Sequence, residues 1–331
     1  MTCTALVSDI ASASAVWNEL LGHRDWSSVF LTPEWQEIWW DEFGQGGGDL
    51  CLTTVGPEAA PLGLSPLVSQ DGILTFIGDT DLFDYHDFIS VGDGFYEALV
   101  DCLVEEPWRV MDLVSIPQHS PTLAYLPEVL RSRGFTVTVE TEDVVPGIDL
   151  PSTWDEFLAG LRKKDRHELR RKLRRLESAV DYRIIKSTPE TLHDDLDSFL
   201  AMMSESREEK RDFLLPERER FFRRVVERFQ QAGILRMFFM EIRPKEDGDS
   251  SEYERVSAVL AFDYDGRRLL YNSGYRLAYG HLSVGLMLKA LAIKDAIEKG
   301  LTYFDFLRGP EPYKYHLGAQ DATIHRLLAT R

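Results

Sequence analysis

Glu311, Tyr313, Lys314, Tyr315 and His316 fall within six residues of the stretch FDFLRGPEPYKYHLGA, Phe304–Ala319. Such a density of titratable groups suits transfer of an acyl group to an amine. That reaction removes a proton from the nucleophile and stabilises an oxyanion in the tetrahedral intermediate. Lys314 has the charge to face the oxyanion, and Tyr313 stands beside it. Asp305 or Glu311 could act as general base or hold the amine, and Arg308 could bind a phosphate or carboxylate. The same side chains could equally form structural ion pairs, Asp305 with Arg308 or Glu311 with Lys314. His316 reads as a structural histidine.

A second group lies at Tyr275, Gly280, Ser283 and Gly285, where a helix opens. A helix N-terminus presents unpaired N–H groups and partial positive charge, which suit a pyrophosphate. The two glycines would let a ligand approach the backbone, with Ser283 as cap. An ordinary capped helix after a hairpin is the other reading. A third group is basic. Residues 162–175 hold nine Lys or Arg against Asp165 and Glu168, a local charge of +7, whereas the whole chain carries −18. Arg166 and Arg170 share one helix face a turn apart and fit a small anionic ligand. A solvated face or a tRNA footprint would use the same residues, and the acidic remainder argues against the latter.

The elements that must position these groups alternate between helix and strand. In the first half, helix Pro33–Phe43 opens at Thr32-Pro33 and stacks Trp35, Trp39 and Phe43, which with Trp40 read as packing residues. Strands are expected at Leu50–Val55, Gly63–Val68 and Ile73–Ile77, then helix Phe95–Glu105, strand Arg109–Ile116, helix Leu123–Arg133 and strand Thr136–Glu140. Pro146-Gly147 and Pro151 mark a boundary. The second half reads as a long helix Trp154–Ser178, a strand, two helices (Pro189–Ser204 and Pro216–Gln231) and strand Ile234–Ile242. After the polar loop Pro244–Ser251 come a hairpin turned at Asp265-Gly266, helix Ser283–Lys299 and strand Thr302–Leu307. A last strand near Thr323–Ala329 closes this half. No internal repeat shows by identity.

At 331 residues the chain exceeds the usual size of one core, so two domains are expected, 1–150 and 151–331. No apolar run is long enough for a membrane span, and the first residues lack a basic signal-peptide region. Three well-separated cysteines, Cys3, Cys51 and Cys102, point to a reducing, cytoplasmic setting without disulfides. No clustered Cys or His suggests a metal, and no Gly-x-Ser-x-Gly suggests an acyl-enzyme.

The second-half order of elements is that of the GNAT acyltransferase fold. WDEFLAGLRKKDRHELRRKLRRLE (Trp154–Glu177), YRLAYGHLSVGLMLKALAIKDAIEKG (Tyr275–Gly300) and the Phe304–Ala319 stretch together resemble the FemAB/CelD-like branch of that family. FLTPEW (Phe30–Trp35) and FDYHDF (Phe83–Phe88) resemble the same branch. The resemblance implies α/β architecture with mixed sheets in tandem GNAT-like domains, the C-terminal one more complete. It implies an N-acyltransferase that passes an acyl group directly from acyl-CoA, acetyl-CoA or longer, to a small amine. That acceptor would be anionic or phosphate-bearing. The donor in other members of the branch is an aminoacyl-tRNA, and a non-catalytic module in polysaccharide or envelope assembly is a third reading. By resemblance, Lys314 faces the transferred carbonyl, and Asp84, Tyr85 and Asp87 line the acceptor side. The loop Arg276–Gly285 departs from the Gln/Arg-x-x-Gly-x-Gly/Ala pattern usual in the acetyl-CoA site.

Overall fold

The computed structural model describes residues 3–6, 9–57, 59–92, 94–104, 107–245 and 252–331. Most of the polar loop Pro244–Ser251 and the expected helix end at Glu105 lie outside them. The chain divides into two compact units, Met1–Val144 with Ala322–Arg331, and Val145–Asp321.

In chain order the first unit holds β1 (Cys3–Leu6), α1 (Ile10–Leu21), α2 (Pro33–Phe43), β2 (Asp49–Val55), β3 (Gly63–Gln70) and β4 (Ile73–Phe76). β5 (Ile89–Ser90), α3 (Gly94–Leu103), β6 (Val110–Pro117), α4 (Pro121–Ser132) and the start of β7 (Thr136–Asp149) follow. α2 starts as the sequence predicts. Pro33 occupies its first turn, and the Thr32 hydroxyl accepts from Trp35 N at 3.3 Å. Trp17, Trp35, Phe88 and Phe95 are wholly enclosed in this unit's core.

The second unit continues with α5 (Trp154–Gly160), α6 (Lys163–Ala179), β8 (Val180–Lys186), α7 (Leu192–Ser206), α8 (Glu208–Phe213) and α9 (Pro216–Gln231). Then come β9 (Leu235–Pro244), β10 (Glu254–Tyr264), β11 (Arg267–Tyr275), α10 (Val284–Glu298), β12 (Tyr303–Asp305) and α11 (Pro312–His316). β8 to β11 form an antiparallel meander. Its hairpin turns at Asp265 and Gly266, both at positive φ, as the Asp-Gly pair predicts. β11 then pairs parallel with β12, and β12 pairs antiparallel with Gly147–Asp149.

The first unit repeats this plan. β1 to β4 are antiparallel, β4 runs parallel to β6, and β6 pairs antiparallel with β13 (Gln320–Thr330). The repeat therefore exists in topology and not in residue identity. Strand pairing within each unit is mixed, parallel and antiparallel, as expected of tandem GNAT-like units.

Several boundaries differ from the sequence reading. The closing strand of the chain pairs with β6 of the first unit and does not finish the second. Pro146-Gly147, which marks a boundary in the sequence, lies within strand β7, just past the division between the units at Val144 and Val145. The glycine is there because a Cβ would lie 1.9 Å from the Tyr303 hydroxyl. The long helix breaks at Leu161-Arg162, both with extended ψ, so its periodicity spans two helices. Cys102 is disulfide-bonded, contrary to the expectation of unpaired thiols. Sequence spacing carries no information about which Cα atoms a fold brings within roughly 4–7 Å. No helix among the described residues is long and apolar enough to cross a membrane.

Candidate active site

β11 and β12 pair only at Arg267–Leu269 with Tyr303–Asp305. Beyond that, β11 runs on to Tyr275, while the chain after β12 turns away, with Phe306 N donating to Pro146 O at 3.0 Å. The fork left between parallel strands at their carboxyl ends is where α/β proteins place ligands. A cleft of about 290 Å³ opens there. It is lined by Ser273 and Tyr275 of β11, Gly280 and Ser283 to Leu286 at the head of α10, and Glu311 and Tyr313 beyond β12. Lys172, Ser206, Arg207, Lys210 and Lys289 complete it. Tyr275, Gly280, Ser283 and Gly285, four separate sequence candidates for donor binding, are thus brought together with Glu311 and Tyr313.

Close packing shapes the fork. At Gly274 a Cβ would lie 2.3 Å from Met203 N, so only glycine lets α7 lie directly on β11. A bulge at Tyr271, between the pairs Leu260–Asn272 and Ala261–Leu270, re-aims the strand. Asn272 Oδ1 then accepts from Lys210 Nζ at 2.7 Å.

Ser283 was expected to cap α10. It instead adopts the left-handed conformation, φ +59°, and its hydroxyl makes no capping bond. Intrahelical pairing resumes with Met287 N to Ser283 O at 3.0 Å. The first turn, Val284 to Leu286, therefore faces the cleft without a side-chain cap.

Electrostatically the cleft is cationic, with Lys172, Arg207, Lys210 and Lys289 against Glu311. Lys289 is 7% exposed. Its ammonium lies 4.9 Å from the Tyr313 ring centroid, and its one hydrogen bond among the described residues is a long 3.4 Å contact to Gly285 O. Burial, then the charges of Lys210 and Arg207, lower its pKa to about 7. Burial and Arg207 lower Lys210 to about 8. Burial and the Glu311 charge push the Tyr313 phenol well above its ordinary value, so it stays protonated. Burial pushes the Glu311 carboxyl upward, but its close pairing with Lys314 and the charge of Arg207 together outweigh this, hold it below its ordinary value and keep it ionised.

Lys314 takes a different place from the one expected. It is 1% exposed and does not line the cleft. Its Nζ donates to the carbonyls of Leu307 (2.8 Å), Arg308 (2.7 Å) and Gly309 (2.9 Å) and sits 2.9 Å from Glu311 Oε2. An ammonium has three donors, so none is left for an oxyanion. Lys314 is a positioning residue. It ties down the loop in which Leu307 holds a strained φ of +60°.

Asp305 is likewise structural, 3% exposed, accepting from Leu307 N at 2.8 Å. Arg308 contributes its carbonyl to Lys314. Neither lines the cleft. On α6 the candidates Arg166 and Arg170 also miss it. Arg166 Nη1 donates to Ala159 O at 2.8 Å, closing off the end of α5, and Arg170 is exposed. The cleft uses Lys172 from that helix.

In the first unit Asp87 is 1% exposed and saturated. It accepts from Arg24 (2.6 Å), Ser120 (2.8 Å), Thr122 (2.5 Å) and Phe88 N (2.9 Å), which suits a structural hub and not an acceptor site. Tyr85, 5% exposed, packs edge-on to Trp26 at 5.4 Å. Asp84 is half-buried.

Sequence reasoning missed Lys289, Lys210 and Arg207. Lys289 had a signal, a lysine in the otherwise apolar run GLMLKALAI of an enclosed helix. Lys210 and Arg207, in the charged segment REEKRD, had none.

Residues 163–315 match the family described as "Acetyltransferase (GNAT) domain". Unit 2 is a GNAT acetyltransferase domain, and the chain is a transferase. Its fold is similar to that of FemX, at 13% identity and a TM-score of 0.67 over 99% of this chain and 97% of that one. It is also similar to a conserved protein of unknown function from Bacteroides thetaiotaomicron (12% identity, TM-score 0.63, 100% of both chains). A third similar fold is the C-terminal domain of a putative lysylphosphatidylglycerol synthetase from Agrobacterium fabrum (9%, TM-score 0.58, 97% of this chain and 92% of that). No curated protein sequence matches the chain. The two-unit architecture is a FemAB-like GNAT fold.

Proposed function

We propose that the chain moves an acyl group from acyl-CoA to an amine by direct transfer within the unit 2 cleft. The observation that carries this is the uncapped first turn of α10 opening onto a cleft with four cations. First-turn N–H groups and the helix dipole bind a pyrophosphate. Lys172 and Arg207 supply the charge that the missing Gly-x-Gly loop would otherwise leave to backbone amides. The amine attacks the thioester carbonyl, and the net positive field of the cleft stabilises the oxyanion that forms. Tyr313, held protonated, can give its proton to the departing thiolate. Glu311, held ionised by Lys314, is the carboxylate on the cleft wall that can hold the acceptor ammonium or take its proton. A cytoplasmic site of action goes with an acyl-CoA donor.

Thermal shift with CoA, acetyl-CoA and longer acyl-CoAs tests this. A ligand bound only by the native state stabilises it by about 2.7 kcal/mol at 100 times Kd. No shift at millimolar ligand would sink the proposal.

One observation favours an aminoacyl-tRNA donor instead. Lys163, Lys164, Arg170, Arg174 and Arg175 form an exposed stripe on α6, without ion pairs among the described residues, on the helix that sends Lys172 into the cleft. Such a stripe fits a phosphodiester backbone. This reading requires RNA binding that weakens steeply with salt.

A further inference from the structure

Lys210 and Lys289 lie inside the fork rather than at its mouth. Lys210 Nζ donates to Asn272 Oδ1 and Ser273 O, residues that precede the end of β11 at Tyr275. Lys289 comes from the second turn of α10 and faces Tyr313. Neither ammonium has an ion-pair partner among the described residues. Glu311, the carboxylate on the same wall, is already held by Lys314 at 2.9 Å. Arg207 and Lys172 add positive charge. Two like charges with spare N–H donors, Lys289 enclosed and Lys210 half-buried, are unfavourable alone, because burial costs most where no opposite charge compensates. A pyrophosphate at the helix end would leave them unmatched, and the neutral arm between pyrophosphate and thioester offers them no charge.

We infer that Lys210 and Lys289 form an oxyanion site within the cleft, beyond the head of α10, that takes a carboxylate or phosphate carried on the reacting end of a substrate. The inference rests on the acyl-transfer reading for the nature of the substrate, and on the geometry alone for the anion. Two sources share this chemistry, a terminal carboxylate on the transferred acyl group and an acid group on the acceptor amine. In both cases the anion matches the two lysines and raises their pKa values, so binding takes up protons.

The test compares wild type, Lys289→Met and Lys210→Met by calorimetric titration with succinate, inorganic phosphate, CoA, acetyl-CoA and succinyl-CoA. Far-UV circular dichroism and melting confirm that each variant folds. We expect succinate or phosphate to bind wild type with proton uptake, and at least tenfold more weakly to Lys289→Met. Succinyl-CoA binding tenfold tighter than acetyl-CoA, with the preference lost in the variants, assigns the anion to the acyl group. Equal affinities, with Lys289-dependent succinate binding retained alongside bound acetyl-CoA, assign it to the acceptor. Succinate and phosphate binding that is absent, or identical in all three proteins, overturns the inference. Lys289-dependent anion binding without any CoA binding would instead overturn the acyl-CoA proposal and leave the oxyanion site standing.

Discussion

Replacing Lys289 by methionine should stabilise the ligand-free protein while impairing its function. The side chain is 7% exposed, and burial together with neighbouring cations lowers its pKa from 10.5 to about 7. Below pH 7 both folded and unfolded chains carry the proton, so the penalty for enclosing the charge is complete. As pH rises from 7 to 10.5 the folded chain sheds the proton first, and the penalty fades. A displacement of this size corresponds to about 4 kcal/mol at pH 7 and about 2 kcal/mol at pH 9. Methionine keeps the volume and removes the charge, so relief should exceed the small cost of altered packing, under about 1.5 kcal/mol. Urea unfolding of both proteins at pH 7 and pH 9 measures the difference. We expect the variant to be more stable by a few kcal/mol at pH 7, with the gain about halved at pH 9. A destabilised variant, or a gain that does not change with pH, would refute the reasoning that Lys289 is held in the cleft at an energetic cost for the sake of a ligand.

The same titration gives the pH dependence of ligand binding. Anionic ligands raise the lowered pKa values of Lys289 and Lys210, so affinity should be greatest below pH 7 and fall between pH 7 and 9, seen as proton uptake in buffers of different ionisation enthalpy. Lys314→Met strands three carbonyls and Glu311, and should cost about 3–5 kcal/mol in chemical unfolding. Lys314→Arg should not restore that loss, since a planar fork does not match three converging carbonyls. Gly274→Ala sets a methyl 2.3 Å from Met203 N and should lower stability by about 1–3 kcal/mol, read as a reduced melting temperature. Arg170→Ala should change the Kd for CoA less than twofold, because the residue is exposed and off the cleft.

How far the molecule could be read from its sequence differs by level. Periodicity and turn chemistry located α2, the β10–β11 hairpin and α9, because Thr32-Pro33, Asp265-Gly266 and Pro216 act within a few residues. Local signals could not show that Gln320–Thr330 returns to β6, or that Pro146-Gly147 lies in a strand tight against Tyr303. Those are long-range pairings. At the site, Tyr275, Gly280, Ser283 and Gly285 could be found because a helix start is a local event. Lys314 was misread for a physical reason. Its neighbours in sequence, Leu307 to Glu311, fold back and consume its donors, and a residue list does not show donors already spent. Lys210, on the short helix α8, joins the site through bonds to Asn272 and Ser273, more than sixty residues away in sequence.

The most direct test of the central claim is calorimetric titration of the purified protein with acetyl-CoA and succinyl-CoA, in wild type and Lys289→Met. The account predicts saturable binding by wild type at or below millimolar ligand, with proton uptake near pH 7.5, on succinyl-CoA or on succinate added to the acetyl-CoA complex, that is smaller in the variant. Absence of binding to either thioester, or binding with proton uptake equal in the two proteins, would contradict it.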